Sequence, residues 1–139
     1  MLIHISGSTK DRRAIAEKTV TWSIKKLGLT RLSSLSIDVI LRKMSEGEYG
    51  YCNIIESNRS FIIDINKNVS LMDFVSTIIH EMVHVKQFAR DEMNGYDMRW
   101  KSKIISVETD YMDLPWEKEA YKLEEKLISQ IWKENILWV

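Results

Sequence analysis

Three histidines are present in 139 residues, and two of them stand four apart with a glutamate between, in His80-Glu81-Met82-Val83-His84. On a helix such a pair lies about 40° apart around the axis, so both imidazoles can reach one metal ion. Glu81 follows His80 directly and is placed to handle a water that the ion activates. Neutral imidazoles suit zinc, and a carboxylate beside activated water is a general base. The pattern is therefore equipped for metal-assisted hydrolysis.

The flanking residues supply the helix. With His80 as the reference direction, Asp73, Thr77, His84, Gln87 and Asp91 fall on one polar side. Leu71, Phe74, Val75, Ile78, Met82, Val85 and Ala89 fall on the opposite arc. Ser70 with Asp73 resembles a capping box, Asn68 is a competing cap, and Gly95 after Asn94 suits a stop. The spacing predicts one helix from about Ser70 to Glu92, buried on one side and carrying the histidines on the other.

Two histidines leave a catalytic zinc one protein ligand short. His4 lies in a short terminal stretch where an exposed or satisfied histidine is the simpler reading. Cys52, the single cysteine, sits in an apolar run and reads as a small buried hydrophobe. No histidine follows His84. A downstream carboxylate remains, and Leu114-Pro115-Trp116-Glu117-Lys118-Glu119-Ala120-Tyr121 offers two. Pro115 fits the first turn of a helix, with Asp113 as its cap. Beyond it Ala120, Tyr121, Leu123, Leu127, Ile128, Ile131 and Trp132 form an apolar arc. Glu117 and Glu124 point into that arc, whereas Glu119 points away among Lys122, Lys126 and Gln130. A carboxylate on a buried face needs a partner, and zinc would be one for Glu117. Glu117 is the preferred third ligand, with Glu119 the alternative and a solvated helix charge as its simpler reading.

H-E-x-x-H followed on a later helix by Glu-x-x-small resembles the gluzincin clan of zinc metallopeptidases. In that clan the third ligand is a glutamate of a second helix, which the resemblance carries onto Glu117 with Ala120 as the small residue. Tyr121 departs from the clan, which often has an aspartate there to orient a zinc-binding histidine. Glu124 or Asp73 would have to supply that support. The segment from Tyr111 to Ala120, with its Pro-Trp-Glu-x-Glu-Ala core, is also similar to short single-domain peptidases of phage and bacterial genomes. The resemblance implies a zincin-like α+β domain spanning 1–139: a small, mostly antiparallel sheet, a histidine helix and a C-terminal glutamate helix. It implies zinc as cofactor, a peptide or protein as substrate, and Glu81 as base. Tyr111 is the candidate oxyanion donor, because the segment 93–114 must run between the two metal-bearing helices; a buried tyrosine with a satisfied hydroxyl is the competing reading. Trp100 and Tyr96 in that segment are expected to pack.

The first 70 residues read as a scaffold. A strand is expected over Met1 to Ser6, then a helix capped by Ser8 with Asp11 and ended near Leu27 by Gly28. Leu35 to Arg42 alternates as a half-buried strand. Tyr51 to Glu56 and Arg59 to Ile65 form a hairpin about Ser57-Asn58. The order is β-α-β-β-β-α-α. A sheet edge beside the metal would hold an extended peptide through its unpaired backbone groups. That edge is expected in the 51–65 hairpin, in the 59–65 strand before the other because it leads into the metal helix.

Composition bounds the rest. With 45% hydrophobic residues the chain can bury one real core. Twenty basic residues balance 20 acidic ones, so the electrostatic footprint of a nucleic-acid binder is missing. This argues against a DNA-tethered repair protease, another setting for the motif. One cysteine forms no internal disulfide, and no signal peptide or membrane span is legible. Cytoplasmic residence is the expectation, in the host cytoplasm for a phage-encoded chain. The apolar tail Ile131, Trp132, Ile136, Leu137, Trp138 and Val139 packs on the domain or serves a homodimer or partner contact. Two other functions stand beside the peptidase. One is a catalytically weak zinc-containing peptide-binding or regulatory protein, which would not need Glu81. The other is an assembly protein in which the motif only stabilises the fold.

Overall fold

The computed structural model describes residues 1–138. Strand β1 (Leu2–Gly7) leads into helix α1 (Lys10–Lys26), then strands β2 (Ser36–Arg42), β3 (Gly50–Ile55) and β4 (Ser57–Asn66). Helix α2 (Leu71–Ala89) follows, then a two-stranded hairpin, β5 (Arg99–Trp100) and β6 (Lys103–Ile104). A short 3-10 turn (Tyr111–Asp113) precedes helix α3 (Pro115–Glu134). The α+β order expected from the sequence is the order observed, with the small β5–β6 hairpin added.

The sheet departs from the expectation. Its order is β1-β2-β4-β3, with β1–β2 and β2–β4 parallel and only β3–β4 antiparallel. It is a mixed sheet rather than a mostly antiparallel one. Burial explains the arrangement. Phe61, Ile63 and Ile65 of β4 are essentially solvent-free, so β4 takes an inner position beside the equally buried Ile37, Val39 and Leu41 of β2. Strand β3 carries exposed Tyr51 and Asn53 and suits an edge. The open edge of the hairpin is therefore β3, and the 59–65 strand is interior.

Helix ends differ by a residue or a turn. Thr9, not Ser8, caps α1 by accepting from the Arg12 amide, because Ser8 is in the left-handed region at φ 54°. Ser70 caps α2 as expected, accepting from the Asp73 amide. The helix stops at Ala89, because Asp91 turns left-handed at φ 56° and its amide bonds back to Phe88. Leu114 rather than Asp113 occupies the cap of α3, with Pro115 in the first turn. Glu56, at φ 64°, makes the β3–β4 turn in place of Ser57-Asn58. Gly7 ends β1 at φ 87°, where an added Cβ would meet the Leu41 carbonyl oxygen at 2.1 Å; only glycine lets β1 and β2 approach there.

Helices α1 and α2 pack on the sheet, and α3 packs on the far side of α2. One contiguous core runs through all three layers. Its fully buried members include Phe74, Ile78, Ile79 and Met82 of α2 and Ile131 of α3. Covered on both sides, α2 buries its polar stripe as well as its apolar one, and His80, Glu81, His84 and Gln87 are all buried. The C-terminal tail packs through Leu137, which is buried, while Trp138 stacks on Trp132 at 5.6 Å and stays half exposed. Val139 lies outside the described residues. Among the described residues no helix is long and apolar enough to cross a membrane.

Candidate metal centre

The seam between α2 and α3 collects the candidate ligands. His80 and His84 project from successive turns of α2, and Glu117 meets them from the first turn of α3. One Glu117 oxygen, Oε1, lies 3.0 Å from His80 Nε2 and 3.3 Å from His84 Nε2. Two ligand atoms about 2.0–2.1 Å from one tetrahedral ion lie roughly 3.4 Å apart. The separations match a pair of edges of such a polyhedron. All three side chains are buried, and their ligand atoms lie within 4.8 Å of one another.

The partners of the far ring nitrogens fix what the near ones can do. His80 Nδ1 faces Glu124 Oε1 at 2.9 Å, and Ser76 donates to the other Glu124 oxygen at 2.9 Å. A carboxylate only accepts, so His80 Nδ1 carries the proton. His84 Nδ1 faces Gln87 Oε1 at 2.7 Å. The Gln87 amide nitrogen donates to the Trp116 carbonyl at 2.9 Å and to Glu119 at 3.1 Å. Both of those partners are acceptors, which orients the amide and makes His84 Nδ1 the donor. In a neutral imidazole each Nε2 is then a lone pair facing the same carboxylate oxygen. Three acceptors turned on one point repel unless a cation or protons stand among them. The buried group could therefore hold a metal ion, with both histidines oriented by second partners as metal-ligating imidazoles are.

Without an ion, protons take that place. Burial alone would lower the His80 pKa, but its bonds to Glu117 and Glu124 outweigh burial and hold it at about 9. Burial likewise opposes charge on His84, yet Glu117 and the Glu81 charge raise its pKa. Burial would raise Glu117, and the two histidine bonds instead bring it down to about 2. Glu81 behaves differently. It is only 7% exposed, and burial raises its pKa. No hydrogen bond holds its carboxylate among the described residues, and it opens into a cleft beside the metal group.

Two clefts reach this group. One, of about 410 Å³, reaches His80 and Glu81 between Tyr49, Tyr51, Tyr111 and Tyr121. The other, of about 400 Å³, reaches His84 and Glu117 between Phe88, Met93, Met98 and Trp116. Edge strand β3 borders both, Tyr51 lining the first and Cys52 the second.

The sequence-derived candidates fall into place unevenly. His80, Glu81, His84 and Glu117 come together. Tyr111 is half exposed, lines the cleft shared with Glu81, and has its hydroxyl against Tyr121 and Glu117; burial and these neighbours raise its pKa. Glu119 is no ligand, and no free surface charge either. It accepts from Lys86 at 2.8 Å and from Gln87, and so anchors the residue that orients His84. Of the two supports for His80, Glu124 makes the contact, and Asp73 lines the cleft a turn and more away. His4 pairs with Asp38 at 3.3 Å on the opposite edge of the sheet, exposed to solvent. Cys52 packs against the core, and burial, with the Glu81 charge, pushes its thiol pKa well up. Trp100 packs near Trp116 at 6.5 Å, but Tyr96 is 88% exposed and does not pack.

Two residues gain roles that sequence reasoning missed. Gln87 lies three residues after His84 on the polar stripe, a spacing that places it under the imidazole. Tyr121 lays its ring against His80, with centroids 4.5 Å apart. It stands one turn after Glu117 on the same face, and Glu124 follows one turn later. The Tyr121 ring thus packs on His80, and the carboxylate at its Nδ1 arrives from Glu124. No protein-family model, curated protein or solved structure matches this chain.

Proposed function

We propose that this protein is a zinc-dependent peptide hydrolase. The observation that carries the reading is Glu81: a nearly buried carboxylate that no hydrogen bond holds among the described residues, next to a three-ligand group and open to a cleft. A metal site that served only to hold the fold would gain nothing from a carboxylate kept free beside it, because burial already works against its charge. Two imidazoles and a carboxylate are a donor set typical of catalytic zinc. Zinc held by His80, His84 and Glu117 would supply Lewis acidity, lowering the pKa of a water and drawing charge from a carbonyl oxygen.

The chain's own groups do the rest. Glu81 takes a proton from the attacking water and delivers it to the leaving amine; its raised pKa suits both halves of that transfer. Tyr111, poised at the same cleft, donates to the carbonyl oxygen as negative charge develops there. Glu124 and Gln87 hold the two imidazoles in the required tautomer. The free edge of β3 offers backbone groups to an extended peptide, which fits a peptide substrate better than a compact small molecule.

The test is Glu81→Gln beside wild type, both reconstituted with zinc and incubated with a mixed peptide pool. Hydrolysis by wild type, lost in the variant while zinc stays near one per chain, is the expected outcome. Wild-type protein that binds zinc and peptides but cuts none would favour a peptide-binding or regulatory protein instead.

A further inference from the structure

The two clefts beside the metal group are chemically unlike. The tyrosine cleft is walled by four tyrosines and by the carboxylates of Asp73, Glu81 and Glu124, and no lysine or arginine lines it. Glu124 is committed to His80 and Ser76. Glu81 faces the space as the base, and exposed Asp73, whose carboxylate has no partner among the described residues, is left to meet a cation. Aromatic faces joined to unpaired carboxylates recognise a cationic side chain. The other cleft is walled by Phe88, Met93, Met98 and Trp116. Its Arg99 and Asp97 pair with each other at 3.6 Å, so their charges cancel. Thioethers and aromatic rings adapt to a large apolar side chain.

The proton path tells which residue of a substrate enters which cleft. In hydrolysis the water oxygen bonds to the carbonyl carbon and the C–N bond breaks. The water's proton goes through Glu81 to the departing nitrogen. Glu81 opens on the tyrosine cleft alone, so the residue that contributes the nitrogen belongs there. Strand direction agrees. β3 passes from Tyr51, at the tyrosine cleft, to Cys52, at the other. A peptide added antiparallel, the more stable pairing, enters with its amino-terminal half along the apolar cleft.

We infer that the substrates are extended peptides in which a large apolar residue is followed by lysine or arginine, cut on the amino side of the basic residue. This rests on the hydrolytic reading above and adds to it a substrate class and a direction.

The experiment uses the zinc-loaded full chain and synthetic decapeptides with varied central pairs: Phe-Arg, Arg-Phe, Phe-Glu and Phe-Ala. Cleavage sites are read by mass spectrometry. Binding of the same peptides to zinc-loaded Glu81→Gln protein, which keeps Asp73 and the four tyrosines, is read by fluorescence anisotropy. Phe-Arg should be cut at least roughly tenfold faster than Phe-Glu, with arginine as the new amino terminus. Asp73→Asn should narrow that ratio without changing zinc content, and Asp73→Arg should narrow it further. Cleavage without preference, or a preference for Phe-Glu, overturns the inference and leaves the hydrolase standing. Cleavage of Arg-Phe in place of Phe-Arg overturns the direction and with it the inference. Selective binding of Phe-Arg with no cleavage upholds the cleft assignment and removes the hydrolase. Neither cleavage nor selective binding removes both.

Discussion

Gln87 offers the sharpest test of how the centre is held. Its side chain is fully buried and spends both amide protons and its oxygen on three partners: His84 Nδ1 at 2.7 Å, the Trp116 carbonyl at 2.9 Å and Glu119 at 3.1 Å. Gln87→Leu fills the volume and removes every bond. His84 keeps a buried N–H without an acceptor, a penalty of about 1–3 kcal/mol. The Trp116 carbonyl loses its bond for about 1 kcal/mol more. Glu119 is spared most of the loss because Lys86 still holds it. The metal-free fold should thus weaken by about 2–4 kcal/mol. Zinc affinity should fall about 10–100-fold, since the imidazole is no longer fixed in tautomer or orientation. Gln87→Glu separates the two effects. It still accepts from His84, so zinc affinity should be kept, but it sets a carboxylate against Glu119 and destabilises the fold. Competition against a chelator of known affinity reads the first effect, and thermal unfolding of metal-free protein reads the second. The reasoning fails if Gln87→Leu binds zinc like wild type, or if Gln87→Glu loses as much affinity as Gln87→Leu.

Other substitutions and conditions divide the remaining roles. Glu117→Ala should take bound zinc from about one per chain to near zero. Glu119→Ala should keep the zinc and lose about 1–2 kcal/mol of stability with the Lys86 and Gln87 bonds; elemental analysis and thermal unfolding of both variants decide it. The metal-free protein should be most stable between about pH 4.5 and 6.5. His80 rises from 6.5 to about 9 on folding, so its contribution is full below 6.5 and fades as pH climbs toward 9. Raised pKa values at His84 and Glu81 act in the same direction. Glu117 falls from 4.5 to about 2, so its contribution is present above 4.5 and is lost as pH drops toward 2. Unfolding temperatures measured in chelator should decline from pH 6.5 to 9, whereas zinc-loaded protein, whose imidazoles are already neutral, should not follow; a flat metal-free profile would refute the protonated arrangement.

What could be read from the chain, and what could not, follows from the kind of information each residue carries. Helix α2 and its histidine pair were legible because its apolar positions repeat at helical spacing and histidine is rare here. Glu117 was legible because a carboxylate on the apolar arc of α3 demands a partner. The strands of the sheet were legible one by one, since alternation reveals faces. Their neighbours were not: period-two patterning says which side of Phe61, Ile63 and Ile65 is buried, but not that β4 lies between β2 and β3. The greater burial of β4 decides that, and it emerges only once α2 covers the sheet. Glu119 and Gln87 were misjudged or passed over for one reason. A polar residue on a polar stripe reads as solvated, and only the packing of α3 over α2 turns that stripe into an interior.

Two clefts on either side of one candidate centre carry a consequence for the proposed hydrolysis. A peptide lying along β3 would be a bivalent ligand, each half raising the local concentration of the other at its own cleft. Cutting it would sever that linkage. The two fragments would then be monovalent ligands, each held by one cleft and free to leave without waiting for the other. On the proposed reading the cut itself would supply the release step, without a moving lid. Synthetic fragments matching the two products should accordingly inhibit far more weakly, singly or mixed, than the uncut peptide binds.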